Sequence, residues 1–146
     1  MLRRVLLGSS ACALAAACSS GAPAEPAPLP CATGLTASCA PQYDPPTFAT
    51  LHAKILRPSC ATGTSCHTAA ARRGDLALDD EAASYAMLLG KDGSRARVAP
   101  GDPSCSVLMK RVTSTDPAVH MPPGSGSLSA GEICALTQWI AKGAPR

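Results

Sequence analysis

The chain has 146 residues, with 13 Lys and Arg against 10 Asp and Glu, and 8 cysteines. Arg3 and Arg4 carry most of its formal charge of +3; without them basic residues exceed acidic ones by a single residue. There is no basic run and almost no aromatic to stack on a base, which excludes nucleic acid as a partner.

Arg3 and Arg4 open a targeting segment over residues 1–17. Val5 to Ala17 is an apolar run, too short for a permanent membrane span and rich in small residues at its end. It closes on Leu14-Ala15-Ala16-Ala17-Cys18, which resembles a bacterial lipobox, with Ala15 where leucine is preferred. The resemblance implies cleavage before Cys18, lipidation of its sulfur, and attachment to the membrane by more than one acyl chain, enough for stable anchoring. An ordinary signal peptide cut near Ala17 is the plainer alternative. Cys12 leaves with the peptide in either case. Ser19 behind the anchor favours the outer membrane, facing the periplasm or the surface. Export places the rest of the chain in an oxidising compartment, where disulfides persist.

Residues 18–46 hold the anchor, a Pro/Ala/Ser linker (Ser19 to Pro30) and an irregular arm. A linker of that composition is semi-extended and has no core. Cys31 and Cys39 lie close enough in sequence to close a local loop. The domain proper occupies residues 47–146, with Phe48, Tyr85 and Trp139 as its aromatics. So thin a core usually needs staples or a cofactor.

Four helices are expected, with no strand alternation and no internal repeat. Thr47 to Leu56 places Phe48, Leu51 and Ile55 at helical spacing and should stop before Pro58. Asp80 to Leu89 begins on acidic residues and ends at Gly90. Pro103 to Val112 has Asp102 as its N-cap and proline at the first helical position. Ser129 to Lys142 carries a capping box, Ser129 with Glu132, buries Ile133, Leu136 and Ile140, and ends at Gly143. The expected fold is all-α.

The segment Cys60 to His67, CATGTSCH, ends on Cys-His, as does the haem-attachment motif C-x-x-C-H. In that motif two sulfurs on a tight turn reach the two vinyl groups of one haem, and the adjacent histidine is directed at the iron. Here five residues separate Cys60 from Cys66, and Gly63 stands three before Cys66.

Downstream come GDLALDD (Gly74 to Asp80), VAPGDPSCSVLMKRV (Val98 to Val112), MPPGSGSLSAGEI (Met121 to Ile133) and WIAKGA (Trp139 to Ala144). In this order the string from about Leu51 to Ala144 resembles the planctomycete-type cytochrome c domain family. The resemblance implies a small cytochrome c-like helical domain with haem c as cofactor. It makes His67 the proximal iron ligand and Met121 the distal one, Cys66 a thioether donor, and Cys60 a second donor across an enlarged loop. Pro122 and Pro123 stiffen the chain behind Met121 and limit the entropy lost on ligation. Histidine with methionine suits electron transfer, with a redox protein of the envelope as partner, rather than oxygen chemistry or catalysis.

Cys105 and Cys134 have no counterpart in the family's motif and are expected to bridge the third and last helices. After lipidation of Cys18, six cysteines remain. They form three disulfides, or two (Cys31–Cys39 and Cys105–Cys134) with Cys60 and Cys66 left for haem. The rival reading is a haem-less, disulfide-stapled relative acting as a binding or structural lipoprotein. Its mark is the wide Cys60–Cys66 spacing, whereas Met121-Pro122-Pro123 favours haem. In the bland reading His52 lies on the polar face of the first helix, His120 is solvated and Trp139 is core. A zinc site from Cys60, Cys66, His67 and His52 has looser cysteine spacing than structural zinc prefers. Thiol–disulfide catalysis favours C-x-x-C, and no Ser-His-Asp arrangement stands out.

Overall fold

Thr47 opens the first helix by accepting the Thr50 N–H on its hydroxyl at 3.3 Å. In this computed structural model, which describes residues 28–124 and 126–146, that helix begins as α1, Phe48–Leu51. The targeting segment, the Cys18 anchor and the linker up to residue 27 lie outside the described residues. The chain continues without a break through a π-helical turn, His52–Leu56, into α2, Arg57–Cys60. The helix therefore does not stop before Pro58. A proline inside an α-helix lacks an N–H and presses its ring on the carbonyl four residues back. The π-turn widens the backbone at that point, with the Arg57 N–H reaching the His52 carbonyl.

Three further helices follow: α3, Glu81–Leu88, α4, Val107–Val112, and α5, Ala130–Ala141. The all-α expectation holds, since among the described residues there is no strand, only an isolated bridge between Ala99 and Asp102. None of these helices is long and apolar enough to cross a membrane. Asp80 caps α3 as a side-chain acceptor, and Ser129 and Glu132 complete the expected capping box of α5. The third helix starts later than its sequence suggests. Asp102 caps a turn instead, accepting the Cys105 N–H at 2.9 Å, and Ser106 becomes the N-cap of α4.

Phe48 is the centre of the core. Its ring meets Tyr85 edge-on at 4.9 Å and Trp139 at 5.4 Å, so α1, α3 and α5 converge on one aromatic cluster. Leu51, Ile55, Leu88, Met109, Leu136 and Ile140 close around it with no side chain exposed. The polar ends of the large rings are satisfied near the C-terminus: Tyr85 Oη donates to the Ala144 carbonyl at 3.1 Å and Trp139 Nε1 to that of Pro145 at 2.7 Å.

The arm (28–46) is fastened across the domain. Cys31 is bonded to Cys105 and Cys39 to Cys134. The expected pairs Cys31–Cys39 and Cys105–Cys134 do not form, although the same four residues are used. Cys105 is exposed in the turn before α4, while Cys134 is buried on α5, and each is met by a different part of the arm. Hydrogen bonds follow the same course: Ala32 N–H to Ser104 O at 2.8 Å, Gln42 N–H to Gly131 O at 2.9 Å, and Gln138 Nε2 to Ala37 O and Cys39 O. At Gly131 a Cβ would stand 3.0 Å from the Gln42 Cβ and 3.2 Å from its N, so a larger residue here would push the arm slightly off α5. Closing 74 residues between Cys31 and Cys105 removes about 4–5 kcal/mol of unfolded-chain entropy in the loop-closure account. These are the staples that a core of this size calls for.

Candidate functional site

The loop leaving α2 brings three candidate residues into one segment. Cys60 is the last residue of α2, and its carbonyl accepts the His67 N–H at 3.0 Å, which closes the Cys60–His67 loop on itself. The His67 carbonyl accepts the N–H of buried Leu78 at 2.7 Å, tying the loop to the core. The His67 side chain is oriented from the other side, with Nδ1 at 2.7 Å from the Arg73 carbonyl. A carbonyl only accepts, so Nδ1 carries the proton and the Nε2 lone pair is free. That is the tautomer a metal-binding imidazole needs, and a backbone carbonyl is a usual partner for its other nitrogen.

The Arg73 carbonyl sits in an unusual turn. Arg72, Gly74 and Asp75 all have positive φ, 43°, 63° and 55°, and two of the three are not glycine. Such conformations cost free energy and persist where the surroundings fix them. Arg97 does this: its Nη2 donates to the Gly74 carbonyl at 2.9 Å and the Asp75 carbonyl at 3.1 Å, while Nη1 donates to Ser94, Arg95 and Met87. Arg97 is itself buried, and this desolvation pulls its pKa below the usual arginine range. Asp79 steadies the middle of the loop by accepting the Ala69 N–H on both carboxylate oxygens, at 3.1 and 3.0 Å. That hydrogen bond is the main reason its carboxyl titrates below the ordinary carboxylate range.

Cys60 and Cys66 are both free thiols and both half-buried. Burial first, and then the neighbouring Cys66, push the Cys60 thiol up to about 11. Cys60 also packs against the apolar core, so its sulfur belongs partly to the interior.

Met121 lies on a different segment, the connection between α4 and α5. It is half-buried, its N–H donates to the Arg111 carbonyl of α4 at 3.0 Å, and the Met121–Pro122 bond is cis. A chain of hydrogen bonds joins the two segments. Arg97 holds the Gly74 and Asp75 carbonyls, the Arg97 carbonyl accepts the Leu108 N–H of α4 at 2.9 Å, and α4 carries Arg111.

The other histidines differ from expectation. His52 is buried, not on a polar face, and its Nε2 is spent on the Leu78 carbonyl at 3.1 Å. No group of three or more His, Cys, Asp or Glu among the described residues is placed to hold a bare metal ion. His120 is half-buried rather than solvated, with both ring nitrogens engaged. Arg97 and the Arg73 carbonyl are features that sequence reading missed. The acceptor is a backbone atom and leaves no trace in residue types, and Arg97 reads as one of several scattered arginines.

Residues 64–125 match the model of the family described as Planctomycete cytochrome C, which supports a planctomycete-type cytochrome c-like domain over this stretch. The match takes in Cys66, His67, Met121, Pro122 and Pro123 but begins after Cys60 and ends before α5, and is narrower than the resemblance from Leu51 to Ala144. No curated protein and no solved structure matches the chain.

Proposed function

We propose that this domain is a single-electron carrier of the cell envelope, anchored through lipidated Cys18 and holding one haem c between His67 and Met121. The observation that carries the reading is the state of His67. Its Nδ1 proton is committed to Arg73, its Nε2 is free, and two unpaired thiols share its loop while the other four cysteines of the described chain are bonded. Two thiols, a free imidazole nitrogen and a thioether are the donor set that a covalently held, six-coordinate haem requires. When bound, the group would supply a one-electron iron couple whose potential is raised by His/Met ligation. Cys66 would hold it beside His67, and Cys60 would add a second thioether. His67 would present Nε2 with its ring plane fixed by Arg73, and Met121 a soft sulfur from the loop stiffened by Pro122 and Pro123. His67 and Met121 together would hold the group for electron transfer rather than for chemistry on a substrate. A redox protein of the envelope would then be the partner.

A second reading, a haem-less binding or structural lipoprotein, draws on Cys60. Its thiol is turned partly into the core and sits five residues from Cys66, outside the family match. In that case Cys60 and Cys66 would close a third disulfide. The visible spectrum of protein from the envelope fraction of a host competent in cytochrome c maturation separates the two. Sharp low-spin bands that survive denaturation support the carrier. Colourless protein with Cys60 and Cys66 bonded to each other overturns it.

A further inference from the structure

Residues 113–129 join α4 to α5, and the described residues among them form no helix or strand, a long connection for so small a domain. The His120 imidazole ties its two ends together from within. His120 Nδ1 lies 2.7 Å from the Ser114 carbonyl, and His120 Nε2 lies 3.1 Å from Ser127 Oγ. The carbonyl can only accept, so Nδ1 donates to it and Nε2 accepts the Ser127 hydroxyl proton. The ring thus clasps the start of the connection to its end. A cavity of about 430 Å³ lies against the clasp, lined by Ser114, Thr115, Pro117, His120, Gly124 and Ser127. That space opens to solvent, and the two hydrogen bonds of the ring lie along its wall. The clasp sits next to Met121, whose flanking backbone is held to α4 on the other side: the Met121 N–H donates to Arg111 O at 3.0 Å, and Arg111 Nη1 donates to Val119 O at 3.3 Å.

We infer that His120 is a positioning residue for Met121, an inference that rests on reading Met121 as the distal ligand. A thioether offered from a free connection of this length would lose much chain entropy on ligation. Dividing the connection at His120 removes part of that loss when the protein folds, before any ligand is bound. The same two hydrogen bonds occupy both ring nitrogens of His120, which would leave Met121 as the ligand of this segment.

The test compares the wild type with His120→Ala, which breaks both hydrogen bonds, His120→Asn, which keeps a donor near the place of Nδ1, and Ser127→Ala, which breaks only the second. In the haem-free protein, amide exchange at Met121 should quicken about tenfold in His120→Ala, as loss of one to two net hydrogen bonds implies, and least in His120→Asn. Amides in the middle of α5 should be unchanged. In haem-loaded protein, the near-infrared sulfur-to-iron band should weaken in His120→Ala and recover in His120→Asn. Should His120→Ala fail to fold, Ser127→Ala carries the same test with a smaller expected change. Unchanged Met121 exchange in every folded variant overturns the clasp. A haem-loaded wild type without the sulfur-to-iron band overturns the ligand reading instead, and the exchange rates then decide the fastening on their own.

Discussion

His67 Nδ1 lies 2.7 Å from the carbonyl oxygen of Arg73, in a turn whose neighbouring residues Arg72, Gly74 and Asp75 all have positive φ. The turn is held from the other side by Arg97, so the orientation of one imidazole depends on a guanidinium several segments away. Rigid support of this kind fixes ring plane and tautomer before any ligand arrives, and matters more to a metal-binding histidine than to a surface one.

The tautomer is directly measurable. Nitrogen-15 correlation spectra of the haem-free protein at neutral to mildly alkaline pH should show His67 protonated at Nδ1 and bare at Nε2. A ring protonated at Nε2 instead would mean that the Arg73 bond is not made in solution and that His67 is not prepared as a ligand.

Arg97 should be costly to replace. Arg97→Met removes charged hydrogen bonds to the Gly74 and Asp75 carbonyls, worth about 2–3 kcal/mol, with the loss moderated because those residues lie near solvent and can rehydrate. Urea melts should show that loss, and the His67 tautomer should become mixed. Arg97→Lys should recover only part of it, since an ammonium cannot present the planar fork that reaches two adjacent carbonyls. Equal stability of wild type and Arg97→Met would show that the turn holds itself.

Peptide mapping under non-reducing conditions should yield Cys31 linked to Cys105 and Cys39 linked to Cys134. Removing the second bridge with Cys39→Ala and Cys134→Ala together should cost about 2–5 kcal/mol. Recovery of Cys31 linked to Cys39 would mean that the arm folds back on itself and leaves α5 uncovered.

Much of this fold is legible in residue patterns, and the parts that are not have a common cause. Capping signals at Asp80 and Ser129 are local, and they place α3 and α5 to within a residue. Pro58 and Asp102 mislead because each is also a local signal, but tertiary packing and a turn use it differently: a π-turn carries the helix past Pro58, and Asp102 caps the turn before α4. Cysteine pairing is not local at all. It depends on the path of an arm that has almost no periodicity, so spacing alone suggests the wrong partners for the right residues. The candidate site divides in the same way. Cys66, His67 and Met121 stand out by motif, whereas the carbonyl of Arg73 and the clasp of His120 exist only once the chain is folded.

Lipidation concerns residues outside the described structure and is tested separately. Cys18→Ser should abolish fatty-acid labelling and leave an unprocessed precursor. Labelling that persists in this variant would move the anchor elsewhere.

The Cys60 thiol is pushed from its ordinary 9.0 to about 11, first by burial and then by Cys66. Only the thiolate attacks an alkylating reagent, so in folded haem-free protein at pH 8 Cys60 should react far more slowly than the same residue in urea. Its rate should climb as pH approaches about 11. The sign of the stability effect follows from the same shift. The folded state prefers the protonated thiol more than the unfolded chain does, so this contribution is fully present below about pH 9 and is lost as pH rises through about 11. Cys60→Ala should therefore flatten the alkaline side of the stability profile in that window, while the acid side keeps its shape. Mass spectrometry of the alkylated peptides gives the rates, and urea melts from pH 8 to pH 11 give the profile. Equal rates for Cys60 in the folded and urea-unfolded protein at pH 8 would show that its sulfur faces solvent and is as free for thioether formation as any exposed cysteine.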